Sequence, residues 1–134
     1  MSEPYVDHIG IIVHDLDEAL RLFENLFDLK PANVLDMEEV GLRIATLKAA
    51  NVDLELIQYM DQREGIARRT MGDRKGINHI SFRVKDVSAS LEQFQQKGAQ
   101  VLEGFPRQGS HGVVAFFRAD STAQILLEIC EHKG

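Results

Sequence analysis

Two histidines and two glutamates, placed by a repeat, set the chemistry open to this chain. His8 begins the run His8-Ile9-Gly10-Ile11-Ile12-Val13-His14-Asp15-Leu16, and His79 begins His79-Ile80-Ser81-Phe82-Arg83-Val84-Lys85-Asp86-Val87. The runs align, and the match continues with Leu20 on Leu91 and Phe23 on Phe94. Each copy closes on a similar segment, Leu54-Glu55-Leu56 or Leu127-Glu128-Ile129. Each therefore carries one imidazole and one carboxylate. Two of each suit a divalent cation such as Zn²⁺, Co²⁺, Ni²⁺ or Mn²⁺, with water or substrate filling the other positions. Two carboxylates on a shared concave face also repel each other unless a dication sits between them. A single histidine of this kind is more often a packed or surface residue. Four placed by one repeat argue for a metal site through His8, Glu55, His79 and Glu128.

The elements that must hold them follow from the same pattern. Residues 6–13 and 78–84 are rich in β-branched and apolar side chains and read as strands. Asp15 and Glu18 form an Asp-x-x-Glu helix start, after which Leu16, Ala19, Leu20, Phe23, Leu26 and Phe27 recur at helical spacing. Asp86 is the equivalent cap in the second copy, Val87, Leu91 and Phe94 its buried stripe, and Gly98 its stop. Shorter strands are expected near 33–37, 40–48 and 52–59, then near 100–104, 112–118 and 124–131. The unit is β-α-β-β-β, twice: module 1 over about 1–60, a polar linker over about 61–76, and module 2 over about 77–134. Strand alternation puts Ile9, Ile11 and Val13, and likewise Ile80, Phe82 and Val84, on the faces that pack under the helices. His8, Glu55, His79 and Glu128 fall on the opposite faces. The fold class is α+β.

Composition removes several alternatives. At 134 residues, 44% apolar and 27% charged, the chain suits one folded domain. With 15 Lys and Arg against 21 Asp and Glu, its net charge of −6 argues against nucleic acid, which needs a basic face. One cysteine, Cys130, excludes an intrachain disulfide and a Cys-rich zinc site. The longest apolar stretches fall short of the roughly 20 residues a membrane helix takes. No Lys or Arg precedes Arg21, unlike a secretory signal, so the expected compartment is the cytoplasm.

Other candidates are weaker. His14, before the helix cap, and His132, in the polar tail, read as solvated surface. Cys130 reads as a small buried hydrophobe. No Gly-x-Gly-x-x-Gly, Walker-type loop or serine nucleophile elbow occurs. The segment 61–75 is locally basic through Arg63, Arg68, Arg69, Arg74 and Lys75. A phosphate-bearing ligand could use it, but a solvated helix and loop is the commoner cause.

These residues resemble the vicinal oxygen chelate (glyoxalase/bleomycin resistance/dioxygenase) superfamily, and within it the methylmalonyl-CoA epimerases, over about 7–131. The resemblance rests on Asp7-His8-Ile9-Gly10-Ile11, Val52-Asp53-Leu54-Glu55-Leu56-Ile57, Gly76-Ile77-Asn78-His79-Ile80-Ser81 and Leu126-Leu127-Glu128-Ile129. Gly109-Ser110-His111-Gly112, similar to the epimerases' Gly-Ala-His-Gly, discriminates best within the superfamily. Asp36-Met37-Glu38-Glu39-Val40-Gly41 is shorter than the matching epimerase segment and lacks its Pro and Gln. The resemblance implies two paired modules forming a cup-shaped, mostly antiparallel sheet around a metal, with Co²⁺ foremost. It also implies an acyl-CoA substrate touched by Ser110, His111 and Gly112, no nucleic-acid or membrane partner, and a homodimer.

The implied reaction interconverts (R)- and (S)-methylmalonyl-CoA by 1,1-proton transfer through a metal-stabilised enolate. Inversion needs a proton acceptor and a donor on opposite faces of a planar intermediate. Glu128 and Glu39 are the candidates, with Glu38 an alternative to Glu39, since strand alternation would turn the two apart. A glyoxalase-I-type isomerase, akin to lactoylglutathione lyase, would use the same ligands. A non-catalytic small-molecule-binding relative would leave a full ligand set surplus. An extradiol Fe(II) dioxygenase takes two His and one carboxylate, so Glu55 counts against it.

Overall fold

The computed structural model describes residues 3–132. The chain folds as two compact units, one spanning His8–Asn78 and the other joining the segment up to Asp7 with the segment from His79 onward. Each is α+β. Strand β1 is Tyr5–Ile12, helix α1 Leu16–Phe27, β2 Pro31–Met37, β3 Leu42–Lys48 and β4 Asp53–Tyr59. Helix α2 is Ile66–Met71, β5 Gly76–Arg83, α3 Val87–Gln96, β6 Arg107–Gln108, β7 Val113–Phe116 and β8 Leu127–Cys130.

In the His8–Asn78 unit the strand order is β2-β3-β4-β1. The β2/β3 and β3/β4 ladders are antiparallel, and β1 joins β4 in parallel. The other unit repeats the plan as β5-β8-β7-β6, with β5 parallel to β8 and the remaining pairs antiparallel. A parallel pair needs a long crossover connection. In the first unit that connection carries α1, in the second α3.

Both helices start as their sequences predict. Asp15 accepts from the Glu18 N–H at 3.1 Å, and Asp86 from the Ala89 N–H at 3.1 Å. A second cap was not legible in the sequence. The Leu16 N–H donates to Gln58 Oε1 at 2.7 Å, and the Val87 N–H to Glu131 Oε2 at 2.9 Å. Gln58 and Glu131 stand at equivalent places, three residues beyond Glu55 and Glu128. The last strand of each repeat thus ties down the helix start and satisfies one of its orphan donors.

The apolar stripes pack as expected except at the end of α1, where Leu26 and Phe27 are 63% and 67% exposed. Leu16, Leu20 and Phe23 of α1 meet Ala45, Leu47 and Leu56. Val87, Leu91 and Phe94 of α3 meet Ala115, Phe117 and Ile129. The first unit has a further core on its opposite face, where Ile12, Leu42, Ile44 and Ile57 are covered by Ala67 and Met71 of α2. The segment expected to be a polar linker therefore folds back as a helix on its own unit.

Three strand expectations are corrected. Residues 38–40 form a 3₁₀ turn closed by Gly41 at φ +70, so β3 begins at Leu42. Only the isolated bridge Val101–Phe117 remains of the strand expected at 100–104. Gly104 is left-handed there, and Pro106 has no N–H for a ladder. Ala123 and Gln124 also adopt positive φ, forming a turn that delays β8 until Leu127.

Candidate functional site

Each unit builds half of the expected ligand set on the sheet face turned away from its crossover helix. In the first, Gly10 stands in register with Glu55, which places the Glu55 carboxylate diagonally across from His8. His8 Nδ1 and Glu55 Oε2 are 3.4 Å apart. In the second, Ser81 stands in register with Glu128, and His79 takes the same diagonal place. His79 Nε2 lies 3.8 Å from Glu128 Oε1. The same offset recurs because the same parallel register recurs.

All four side chains are buried, with exposures of 5% for His8, 6% for Glu55, 4% for His79 and 6% for Glu128. Burying a carboxylate is costly unless cations or donors compensate it. The surroundings hold the rings in place: the His79 ring meets Phe116 edge-on at 5.0 Å, and Phe116 in turn meets Phe105 at 5.3 Å. Thr46 lies in register with Glu55. Its buried hydroxyl makes no hydrogen bond among the described residues. Nitrogen and carboxylate donors, side by side and shielded from water, are of the types a first-row divalent ion takes, and each unit contributes one of each.

The other expected residues fall as follows. Glu38 and Glu39 are exposed on the 3₁₀ turn, so the argument that alternation turns them to opposite faces does not apply. The Arg63 guanidinium donates to both of their carbonyl oxygens at 3.1 Å, anchoring the turn and leaving the two carboxylates in solvent. In the loop between β6 and β7, the Gly109 N–H donates to the Gly112 carbonyl at 2.7 Å. Gly112 lies against the Glu131 backbone with no room for a Cβ. A Cβ at Gly109 would lie 2.8 Å from Val114 Cγ1, so both glycines have a packing reason to be glycine. Ser110 and His111, between them, are half-buried.

His132 is exposed, as its reading as a tail residue expects, but it is not free of contacts. Its Nε2 is 2.9 Å from Asp7 Oδ1, and its ring stacks on His111 with centroids 5.2 Å apart. Asp7 is buried and also receives Arg83, whose Nε donates at 2.8 Å. The Arg83 guanidinium lies over the Tyr5 ring. Sequence reasoning missed this cluster, because Asp7 and Arg83 are remote in the chain and carry no local pattern. Its one available signal was an acidic residue, Asp7, buried beside His8 in a mostly apolar strand.

Cys130 is buried, and burial pushes its thiol up to about 12, as befits an inert packing residue. The basic segment is largely occupied within itself. Arg63 pairs with Asp61, Arg68 with Asp73, and Arg69 donates to the Glu64 carbonyl. Asp61 is held below the usual carboxylate range by the hydrogen bond from the Arg63 backbone. No helix among the described residues is long and apolar enough to cross a membrane.

Comparison with known proteins places this geometry in context. Residues 7–117 match the Glyoxalase/Bleomycin resistance protein/Dioxygenase superfamily. The chain is 32% identical to the uncharacterised protein YqjC of Bacillus subtilis over 130 residues, 96% of this chain and 93% of that one. It is 27% identical to the ethylmalonyl-CoA/methylmalonyl-CoA epimerase of Cereibacter sphaeroides over 114 residues, 84% of this chain and 85% of the relative. A methylmalonyl-CoA epimerase solved in complex with methylmalonyl-CoA and NH4+ superposes with a TM-score of 0.83 at 28% identity, covering 99% of this chain and 97% of that one. The repeat, the topology and the match over most of the chain make this protein a member of the glyoxalase/bleomycin resistance protein/dioxygenase superfamily.

Proposed function

We propose that the chain is a divalent-metal-dependent epimerase that interconverts (R)- and (S)-methylmalonyl-CoA. The observation that carries this reading is the pair of buried His–Glu sets, His8 with Glu55 and His79 with Glu128. The chain's likeness to proteins named as acyl-CoA epimerases gives them a reaction. His8, Glu55, His79 and Glu128 would hold the metal. When bound, it supplies Lewis-acid stabilisation of negative charge on the thioester and carboxylate oxygens.

The remaining work falls to the chain. The carbon between a thioester and a carboxylate is a weak carbon acid, so inversion depends on carboxylates positioned to take and return its proton. Glu128 takes or returns the proton on one face. Glu39 is assigned to the other; its exposed turn is anchored by Arg63. Ser110, His111 and Gly112 contact the acyl-CoA. Burial of the His–Glu pairs keeps water from the proton in transit.

The test is proton exchange. Metal-loaded protein incubated with one epimer in deuterated water should label the α-carbon while the other epimer accumulates. No label and no second epimer would sink the reading. Turnover of methylglyoxal with a low-molecular-weight thiol in its place would establish a glyoxalase-type isomerase.

A further inference from the structure

The cluster around Asp7 sits on the same sheet face as Glu128, within one unit. Along β5, His79, Ser81 and Arg83 alternate onto one face. Across the ladder, Ser81 faces Glu128 and Arg83 faces Cys130. Arg83 therefore lies four residues along from His79, roughly 13 Å at the rise of a strand. A cavity of about 1030 Å³ is lined by Glu128, Arg83 and His132, with Tyr5, Phe117 and Leu127 among its apolar walls.

Three ties converge where β8 ends. Glu131 caps α3 through the Val87 N–H at 2.9 Å, and its own N–H donates to the Val113 carbonyl at 3.0 Å. Its backbone fills the space where a Gly112 side chain would go. The next residue, His132, is bonded to Asp7 and stacked on His111 at an interplanar angle of 24°. The Asp7 carboxylate is only 3% exposed and is further fixed by Arg83 at 2.8 Å. A ring bonded to a buried, doubly held carboxylate has little freedom to turn. A second ring stacked on it inherits that restriction.

We propose that His132, held by Asp7, is a positioning residue for His111. It fixes the His111 ring and with it the substrate-contacting loop 109–112, in a protein whose substrate contacts rest on the epimerase reading above. His132 need not touch the acyl-CoA. Its contribution is to keep His111 in its binding orientation before substrate arrives, which lowers the ordering cost of binding.

The test pairs His132→Ala with His132→Gln, which keeps an N–H for Asp7 and a flat amide to stack, and with His111→Ala. In His132→Ala, the His111 imidazole resonances should shift and broaden, and His132→Gln should bring them back toward wild type. Unmoved His111 resonances in His132→Ala overturn the proposal whatever the enzyme does. In turnover of methylmalonyl-CoA, His132→Ala should raise KM and lower kcat/KM by about ten- to a hundredfold at unchanged metal content. In the His111→Ala background it should do nothing further, because its route of action is gone. Additive losses in the double variant also overturn it. An inert wild type with a perturbed His111 ring would defeat the epimerase reading and leave the positioning role supported.

Discussion

Gly112 lies so close to the carbonyl of Glu131 that any β-carbon at residue 112 would be driven into that oxygen. The contact ties the loop bearing His111 to the end of β8, and it involves two backbones, neither of which can give way cheaply. Gly112→Ala should therefore destabilise the protein by about 1–3 kcal/mol, the usual cost of overpacking. Denaturant midpoints of the two proteins at equal slope measure it.

Metal content is the second expected outcome. His8→Ala combined with His79→Ala should empty a protein that otherwise carries about one divalent ion per chain, since each change removes a neutral nitrogen donor. Chelation of the wild type should lower its Tm, because a ligand bound only to the folded state stabilises it. Elemental analysis after dialysis checks the first. Unchanged content in the double variant would defeat the ligand assignment.

The two glutamates assigned to proton transfer should separate. Glu128→Ala should impair both metal retention and inversion, because one carboxylate serves both. Glu39→Gln should slow inversion by about 10²–10⁴-fold, the range of general acid–base help, with metal retained. Equal rates in Glu39→Gln and wild type would remove Glu39 from the reaction, the outcome its exposed turn makes most informative.

Alkaline stability should track Tyr59. Its hydroxyl donates to the Gly72 carbonyl at the C-terminal end of α2, with the Ala67 carbonyl 3.4 Å away, and the Arg68 guanidinium lies 4.1 Å over the ring. Burial pushes its pKa up from 10.0 to about 12, against the opposing pull of Arg68. The folded state thus holds this proton more tightly than the unfolded one. The stability so gained is fully present below 10.0 and is lost as pH rises towards about 12. Tyr59→Phe should cost about 1 kcal/mol near neutrality, from the lost hydrogen bond. It should flatten the decline above 10.0. Unfolding curves on both sides of that value compare the two.

Much of this protein was legible in its sequence because the informative signals were local and occurred twice. The spacing of Leu16, Leu20 and Phe23 marks a helix face wherever it lies in a fold, and Asp15 and Asp86 cap the turns that immediately follow them. Strand alternation sent His8 and Glu55 to one face, and His79 and Glu128 to another, from residue order alone. Tertiary structure decided the rest. Glu38 and Glu39 do not alternate as strand residues would, because Gly41 closes a turn beneath them and Arg63, far along the chain, holds their carbonyls. Gln58 and Glu131 became helix caps only once the last strand of each repeat lay beside its crossover helix. His132 is exposed as expected, but its contacts with Asp7 and His111 were not legible. Local periodicity is written in neighbouring residues, whereas a hydrogen bond between residues 7 and 132 exists only after the backbone has brought them together.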